Sequence, residues 1–296
     1  MMITAQSSEQ MAVLVVGAGA MGSQIALVVA LAGHQVRLVD VDEGSLKRAE
    51  TQLRDRMAMQ ITKGKRSTED VDRAFSRLDL HTDLAEAADQ VDLVIEAVVE
   101  DLAIKRQLFA TLSELVAPHT ILASNTSSFV PSRMADAAAH PERFVNLHFF
   151  NPALVMKCVE VVRGPETSDD VVTRSVSFVE SLGKEPVVLA KEINGFVVNR
   201  ILNAVRDEAI QLYEGGYASV ESIDRACRTG LGYPLGPFEL MDLTGIDIGY
   251  RTKKARFAET GDEADLPSRT VTELVDAGHL GRKSGRGFYN YDPTGA

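Results

Sequence analysis

The chain has 296 residues, of which 45% are hydrophobic and 25% charged, and its formal net charge at pH 7 is −11. These totals are typical of one or two packed globular domains, and the acidic balance argues against a nucleic-acid partner. No apolar run approaches the roughly 18 residues of a membrane-spanning helix, and the polar start Met1–Met11 lacks a signal-peptide core. We therefore expect a cytoplasmic protein without membrane contact. Its two cysteines and the lack of metal-ligand spacing predict neither a disulfide framework nor a metal site.

The first predicted elements form a strand, a glycine-rich turn, a helix and a second strand. Ala12–Val16 is an apolar run bounded by glycine, Gly17-Ala-Gly-Ala-Met-Gly22 follows it, and a helix is predicted from Ser23 to Ala32. The second strand, Val36–Val39, ends at Asp40, which lies 18 residues after the last glycine of the motif. In this context G-x-G-x-x-G predicts a dinucleotide site rather than a simple turn.

The residue types of this unit also predict which dinucleotide binds. Gly17, Gly19 and Gly22 permit a tight turn and close approach of the backbone to a pyrophosphate, whose charge the helix N-terminus stabilises. Ala20 and Met21 of the same motif are predicted to belong to the cofactor site. The carboxylate of Asp40 is suited to accept hydrogen bonds from both ribose hydroxyls, and it would repel a 2′-phosphate. The prediction is therefore NAD rather than NADP, with Asp42 as the alternative acid.

A charged helical stretch follows from Gly44 to Arg77, with a predicted break at Gly64. Between Lys47 and Arg66 it carries seven basic and two acidic residues, and we call this range the basic island. Most charge runs are solvated helix faces, which is the first interpretation. The second is that a basic island in an acidic protein attracts a small polyanion.

The next predicted elements lead to a polar loop. Val91–Val98 is a buried strand, Glu100–Val116 an amphipathic helix and Thr120–Ala123 another strand, which runs into Ser124-Asn-Thr-Ser-Ser128. Small polar residues at the end of a parallel strand lie where such sheets bind ligands. A helix N-cap ahead of a proline is the alternative interpretation of this loop.

Two strands, Arg143–Phe149 and Met156–Val162, then flank an Asn-Pro turn signal. The first carries His148 and the second Glu160, an arrangement typical of an imidazole oriented by a carboxylate for acid–base work. The alternative is a hairpin with a core histidine and a solvent-facing glutamate. The turn breaks strand parity, so the spacing leaves open whether the two side chains touch.

Helix Ser168–Leu182 and strand Pro186–Leu189 end the alternating pattern, and after Lys191–Gly195 only helices are predicted. We place the domains at 1–193 and 194–296. The fold class is α/β, a doubly wound and mostly parallel sheet of Rossmann type followed by an all-α domain. The predicted helices of that domain are Phe196–Glu214, Val220–Thr229, Pro237–Leu243, Asp247–Thr260 and Ser268–Ala277. Their wide apolar face predicts a homodimer through the helical domain.

Seven motifs resemble the L-3-hydroxyacyl-CoA dehydrogenases in order and spacing, with the bacterial 3-hydroxybutyryl-CoA dehydrogenases most similar. They are Gly17–Gly22, Glu96-Ala-Val-Val-Glu100, Ser124–Ser128, His148-Phe-Phe-Asn-Pro152, Gly195-Phe-Val-Val-Asn-Arg200, Gly232-Tyr-Pro-Leu-Gly-Pro-Phe238 and Gly281-Arg-Lys-Ser-Gly-Arg-Gly-Phe-Tyr289. The resemblance implies oxidation of the 3-hydroxyl of an acyl-CoA, or the reverse reduction, with NAD as the hydride acceptor.

The resemblance also implies roles for individual residues. His148 would take the proton and Glu160 orient it, while Ser127 and Asn199 would bind the substrate oxygen. Residues near the nicotinamide ribose would be Glu100, Lys105, Asn151 and Lys283, for which surface ion pairs are the alternative explanation. The CoA phosphates would contact Lys63 and Arg56 of the basic island, with Lys65 and Arg66 as alternates; relatives often have serine in place of Arg56.

The helix after Asn199 departs from the family pattern, because Asn203, Arg206 and Asp207 stand where relatives commonly have apolar residues. If these side chains face the acyl pocket, the substrate has a polar far end, as in a 3-hydroxyadipyl-CoA. We expect at least two of the three to face solvent instead. The remaining alternatives are a sugar-acid dehydrogenase of L-gulonate type and a non-enzymatic structural protein.

Overall fold

The computed structural model describes residues 10–291. They form two compact units, of which the first ends at Val197 and the second begins at Val198. Within the described part of the chain, no helix is long and apolar enough to cross a membrane.

The described residues of the first unit form one eight-stranded sheet in the order β3-β2-β1-β4-β5-β6-β7-β8. All neighbouring strands are parallel except β6 and β7, which are antiparallel. The strands are β1 Ala12–Val16, β2 Gln35–Val39, β3 Leu78–His81, β4 Leu93–Glu96, β5 Ile121–Ser124, β6 Phe144–Phe149, β7 Cys158–Arg163 and β8 Glu185–Leu189. The prediction of a mostly parallel, doubly wound sheet is confirmed.

Helices cover both faces of this sheet. Because side chains alternate along a strand, Val13 and Val15 of β1 enter one buried cluster while Leu14 and Val16 enter another. Strands buried on both faces are continuous apolar runs, which is why they were easy to find in the sequence. The helices of this unit are α1 Ala20–Leu31, α2 Glu43–Thr62, α3 Thr68–Phe75, α4 Leu84–Ala87, α5 Leu102–Leu115 and α6 Asp169–Ser181.

One predicted boundary in this unit is wrong, and two elements were not predicted. Helix α1 begins at Ala20, three residues before Ser23, because the glycine motif itself forms its first turn. Strand β3 and helix α4 lie in a region for which no element was predicted. The strand is short and partly polar, with the sequence LDLH, so it lacks the apolar run that would predict a buried strand.

The second unit consists of helices α7 Val198–Glu214, α8 Val220–Gly230, α9 Pro237–Thr244, α10 Ile246–Thr260 and α11 Arg269–Asp276. Two buried carboxylates hold it together. Asp224 accepts hydrogen bonds from the backbone N–H groups of Phe238 and Glu239 at the start of α9, and Asp242 accepts those of Phe288 and Tyr289. The C-terminal segment is thereby fixed to the helices. The confirmed fold class is thus completed by a helical C-terminal domain.

Helix α7 begins two residues later than predicted, at Val198 rather than Phe196. Gly195 and Phe196 both adopt left-handed conformations, with φ of +77° and +49°. A residue in that region does not continue a right-handed helix, and for a bulky side chain it is strained.

Candidate active site

Strands β6 and β7 bring His148 and Glu160 together. The two residues face each other directly in the antiparallel register, and His148 Nδ1 lies 2.8 Å from Glu160 Oε2. Both side chains are buried, with exposures of 6% and 0%. A carboxylate accepts the proton of Nδ1–H, so the lone pair of this imidazole is on Nε2. The ring is held in one tautomer, with one nitrogen ready to accept a proton.

The glutamate of this pair is itself held from a second side. Its Oε1 accepts a hydrogen bond of 2.9 Å from the backbone N–H of Val197. The neighbouring Phe196 ring is fully buried and packs 5.3 Å from the His148 ring, and Phe150 packs against the same ring at 4.4 Å. The strained turn at Phe196 therefore places an aromatic wall against the imidazole and a donor against its partner.

The polar loop after β5 is tied to the strand that carries the histidine. Asn125 Oδ1 accepts a hydrogen bond of 2.9 Å from the backbone N–H of Phe149, the residue after His148. Thr126 Oγ1 accepts hydrogen bonds from the N–H groups of Ser128 and Phe129. Ser127 stands at the exposed tip. The loop is thus an ordered turn whose tip presents Ser127 and Ser128 to solvent.

A buried ionic network supports this loop. Lys105 Nζ lies 2.6 Å from Glu96 Oε1 and 3.1 Å from Glu100 Oε2, with Lys105 and Glu96 almost fully buried. Ser124 donates to the other oxygen of Glu96. Glu100 accepts hydrogen bonds from the N–H groups of Ser127 and Ser128 through Oε1. The network connects the ends of β4 and β5 and holds the backbone of Ser127 in place.

The charge on Glu100 is stabilised by these neighbours. Burial alone would raise the pKa of this carboxyl, but the ammonium of Lys105 and the hydroxyl of Thr126 outweigh burial and hold the pKa below its ordinary value. The loop is therefore built around a carboxylate that stays ionised at neutral pH.

The glycine motif fits a dinucleotide. Gly17 has φ of +103°, and a Cβ on Gly22 would lie 1.9 Å from the carbonyl oxygen of Gly17, so both positions require glycine. A Cβ on Gly19 would meet nothing within 4 Å, which leaves the start of α1 open. With Ala20 and Met21 in its first turn, this helix N-terminus is available to a phosphate.

Asp40 lies beside this turn at the end of β2. Its Oδ2 accepts a hydrogen bond of 2.7 Å from the N–H of Ala18 and its Oδ1 accepts the N–H of Asp42. Asp42 itself caps α2 and pairs with Arg48, so its carboxylate already has partners. Asp40 therefore stays the predicted ribose ligand, with Asp42 as the alternative. Asp40 follows β2, the strand next to β1, and the strand order reverses between β1 and β4, the place where such sheets bind ligands.

Comparison with known proteins decides the family. The model described as "3-hydroxyacyl-CoA dehydrogenase, NAD binding domain" matches residues 12–193, and "3-hydroxyacyl-CoA dehydrogenase, C-terminal domain" matches residues 195–291. The chain belongs to the 3-hydroxyacyl-CoA dehydrogenase family. It is an NAD-dependent oxidoreductase of that family, which confirms the predicted activity and cofactor.

Individual relatives agree over nearly the whole chain. Human mitochondrial hydroxyacyl-coenzyme A dehydrogenase is 42% identical over 291 residues, which cover 94% of this chain and 90% of the relative. The 3-hydroxyadipyl-CoA dehydrogenase of Escherichia coli is 42% identical over 98% of this chain and 60% of its own length. The crystal structure of (S)-3-hydroxybutyryl-CoA dehydrogenase from Ralstonia eutropha is similar with a TM-score of 0.89 and 34% identity, covering 96% and 100% of the two chains. Because relatives include mitochondrial and bacterial proteins, the cytoplasmic location stays a prediction.

The other predicted site residues of this dehydrogenase lie in several places. Asn151 is exposed just after β6, and its peptide bond to Pro152 is cis. In the second unit, Asn199 is half-buried in the first turn of α7, and Lys283 forms an ion pair with the buried Asp247. Arg56 and Lys63 are exposed on α2 and its C-terminal end, and they have no ion-pair partner among residues 10–291.

One expectation about the helical unit is wrong. Asn203, Arg206 and Asp207 do not face open solvent; all three are half-buried and line one cavity. Residues at positions i, i+3 and i+4 share a helix face, so the three side chains can point the same way.

Sequence reasoning missed two supporting residues. Glu96 was noted only as part of a motif, although an acid at the end of a buried strand is itself a signal that it has a buried partner. Asn125 lay within the polar loop without any feature that separates it from its neighbours.

Proposed function

We propose that this enzyme oxidises short-chain (S)-3-hydroxyacyl-CoA, such as 3-hydroxybutyryl-CoA, to the 3-oxoacyl-CoA or catalyses the reverse reduction, with His148 as the acid–base group. The observation that carries the proposal is the buried His148–Glu160 pair with its 2.8 Å hydrogen bond. A short-chain substrate agrees with the 3-hydroxybutyryl-CoA dehydrogenases to which the chain is similar.

In the proposed reaction, Nε2 of His148 accepts the proton of the 3-hydroxyl as the hydride leaves C3. NAD supplies the acceptor for that hydride. The ring gains a positive charge, which the carboxylate of Glu160 stabilises across the hydrogen bond. General acid–base help of this kind is worth about 10²–10⁴ in rate.

Donors to the substrate oxygen are proposed from two elements. The hydroxyl of Ser127 stands at the tip of the ordered polar loop, and the amide of Asn199 lies in the first turn of α7. Charge develops on the oxygen when the hydride departs, so such donors stabilise the transition state. A fixed loop backbone supports this role, because preorganised donors lose little freedom during the reaction.

We assign the remaining ligands on charge and exposure. Glu100, Asn151 and Lys283 are proposed to border the nicotinamide ribose, with Lys105 acting through Glu100, to which it is bound. Arg56 and Lys63 are exposed cations without an ion-pair partner in the described part of the chain. They are separated by seven positions and so lie on one side of α2, which suits the phosphates of CoA.

A homodimer through the helical unit is also proposed. Large apolar side chains on three of its helices are exposed, with 59% for Ile201, 49% for Leu243 and 55% for Ile248. Exposed apolar side chains on a helical surface are typical of a subunit interface.

A polar-ended acyl chain is the second candidate substrate. The half-buried Asn203, Arg206 and Asp207 on the cavity wall favour it, and so does the similarity to a relative named for 3-hydroxyadipyl-CoA.

The test is NADH absorbance with acetoacetyl-CoA, comparing the wild-type enzyme with His148→Gln and with the control His140→Gln, an exposed histidine outside the site. We expect turnover in wild type and control, and a loss of about 10²–10⁴ in kcat for His148→Gln. Full activity of His148→Gln would refute the role of this histidine, and no turnover by the wild type would refute the short-chain assignment.

A further inference from the structure

A cavity of about 340 Å³ lies within the helical unit. Its walls come from α7, α9, α10 and the segment 263–271. Ligand pockets begin at about this size. Its lining combines apolar side chains, among them Ile210, Met241 and Leu266, with the polar Asn203, Arg206 and Asp207 of α7.

Arg206 lies on this wall without an ion-pair partner among the described residues. Its guanidinium donates one hydrogen bond, of 3.0 Å to the hydroxyl of Thr244, and its Nε is shielded from solvent without any partner among the described residues. Burial lowers the pKa of this guanidinium, against the opposing effect of Asp207. A shielded cation without a paired carboxylate is unfavourable, and an anionic group of a ligand would supply that pairing.

The acidic residues of the cavity do not supply that anion. Asp207 pairs with Lys253 at 3.0 Å, and Glu214 accepts the backbone N–H of Thr270 at the start of α11. Glu263 lies on an exposed 3-10 turn. Each of these carboxylates has a partner or faces water, and Arg206 is left to an incoming group.

The position of Arg206 along α7 relates it to the proposed substrate site. Asn199, Asn203 and Arg206 follow at i, i+4 and i+7, which is one stripe of the helix. Arg206 is about 10 Å along the axis from Asn199, and long helical side chains lean back toward the N-terminus. An acyl chain that starts beside Asn199 and runs along this stripe ends at the guanidinium.

We infer that Arg206 binds a carboxylate at the far end of the acyl chain, so that acyl-CoAs with an anionic end are preferred over apolar ones of equal length. The inference rests on the proposed function, since it takes Asn199 as a substrate contact. Arg206 acts in this scheme as a specificity residue and takes no part in the proton or hydride transfer.

The test compares kcat/KM for matched substrates, 3-hydroxyadipyl-CoA against 3-hydroxyhexanoyl-CoA and 3-hydroxysuberyl-CoA against 3-hydroxyoctanoyl-CoA. The variants are Arg206→Met, Arg206→Lys and the control Arg225→Met, an exposed arginine of α8 away from the cavity. For at least one length, Arg206→Met should lower the ratio of acidic to apolar substrate by about tenfold or more, the scale of one charge-assisted hydrogen bond. Arg206→Lys should keep part of the preference for the acidic substrate, and Arg225→Met should keep the wild-type ratio.

An unchanged ratio at both lengths would overturn the inference, and so would an equal fall for both members of a pair, which would mark Arg206 as structural. If Arg206→Met does not fold, inhibition of the wild type decides: adipoyl-CoA should bind more tightly than hexanoyl-CoA, and equal or weaker binding would overturn the inference. Failure of all substrates, acetoacetyl-CoA included, would instead refute the proposed function.

Discussion

Glu160 faces His148 across the antiparallel pair β6–β7 and uses both of its oxygens, one on the imidazole and one on the N–H of Val197. The carboxylate is therefore fixed from the strand side and from the turn that ends the first unit. An oriented, buried carboxylate can hold one histidine tautomer through every turnover. The pair is also insulated from water by Phe150 and Phe196.

Glu160→Gln is expected to lower kcat by about 10²-fold while leaving KM for acetoacetyl-CoA within a few-fold. Glutamine has the same shape and can still accept from Nδ1–H or from Val197, but it lacks the charge that stabilises the protonated ring. Steady-state kinetics measures kcat and KM separately and so checks this prediction. An equal rise in KM would show that Glu160 supports substrate binding instead.

Lys105→Met is expected to reduce the free energy of unfolding by about 3–5 kcal/mol, because it leaves the buried carboxylate of Glu96 without its cation. Adding Glu96→Gln should recover part of that loss. Urea denaturation measures both variants. Lys47→Met removes an ion pair whose side chains are 71% and 68% exposed, and this control should change the stability far less. Equal losses in Lys105→Met and in the control would contradict the structural role of the network.

Much of this architecture was predictable because the sheet is buried on both faces, so its strands are apolar runs with glycine or an acid at their ends. Ala12–Val16 is the same strand in sequence and in structure. Strand β3 could not be predicted from its own residues. Its extended conformation is determined by its pairing with β2 rather than by the pattern of its side chains. The spacing alone left the contact between His148 and Glu160 open, because the length of the intervening turn sets the strand register, and only the family resemblance implied the pairing.

Gly22→Ala and Gly19→Ala are expected to separate folding from cofactor binding. The Cβ at position 22 would lie 1.9 Å from the carbonyl oxygen of Gly17, so Gly22→Ala should cost at least about 1–3 kcal/mol of stability. Gly19 has φ of −68° and open space around it, so Gly19→Ala should fold normally but bind NAD more weakly, because its methyl group projects where the pyrophosphate approaches. Urea unfolding and calorimetric titration with NAD check the two effects. Unchanged NAD affinity in Gly19→Ala would place the pyrophosphate elsewhere.

The stability supplied by Glu100 should disappear in acid. Its pKa in the folded protein is held below the ordinary value of 4.5, so the folded state binds the proton less readily than the unfolded chain. The contribution is fully present above about pH 4.5 and is lost as the pH falls through the folded pKa. Unfolding free energies of wild type and Glu100→Gln should be measured as a function of pH. They should differ by a constant amount near neutrality and converge as the pH falls below the pKa of Glu100 in the folded protein. A gap that persists unchanged into strong acid would mean that Lys105 and Thr126 do not stabilise the ionised carboxyl, and that the polar loop is held by its own backbone alone.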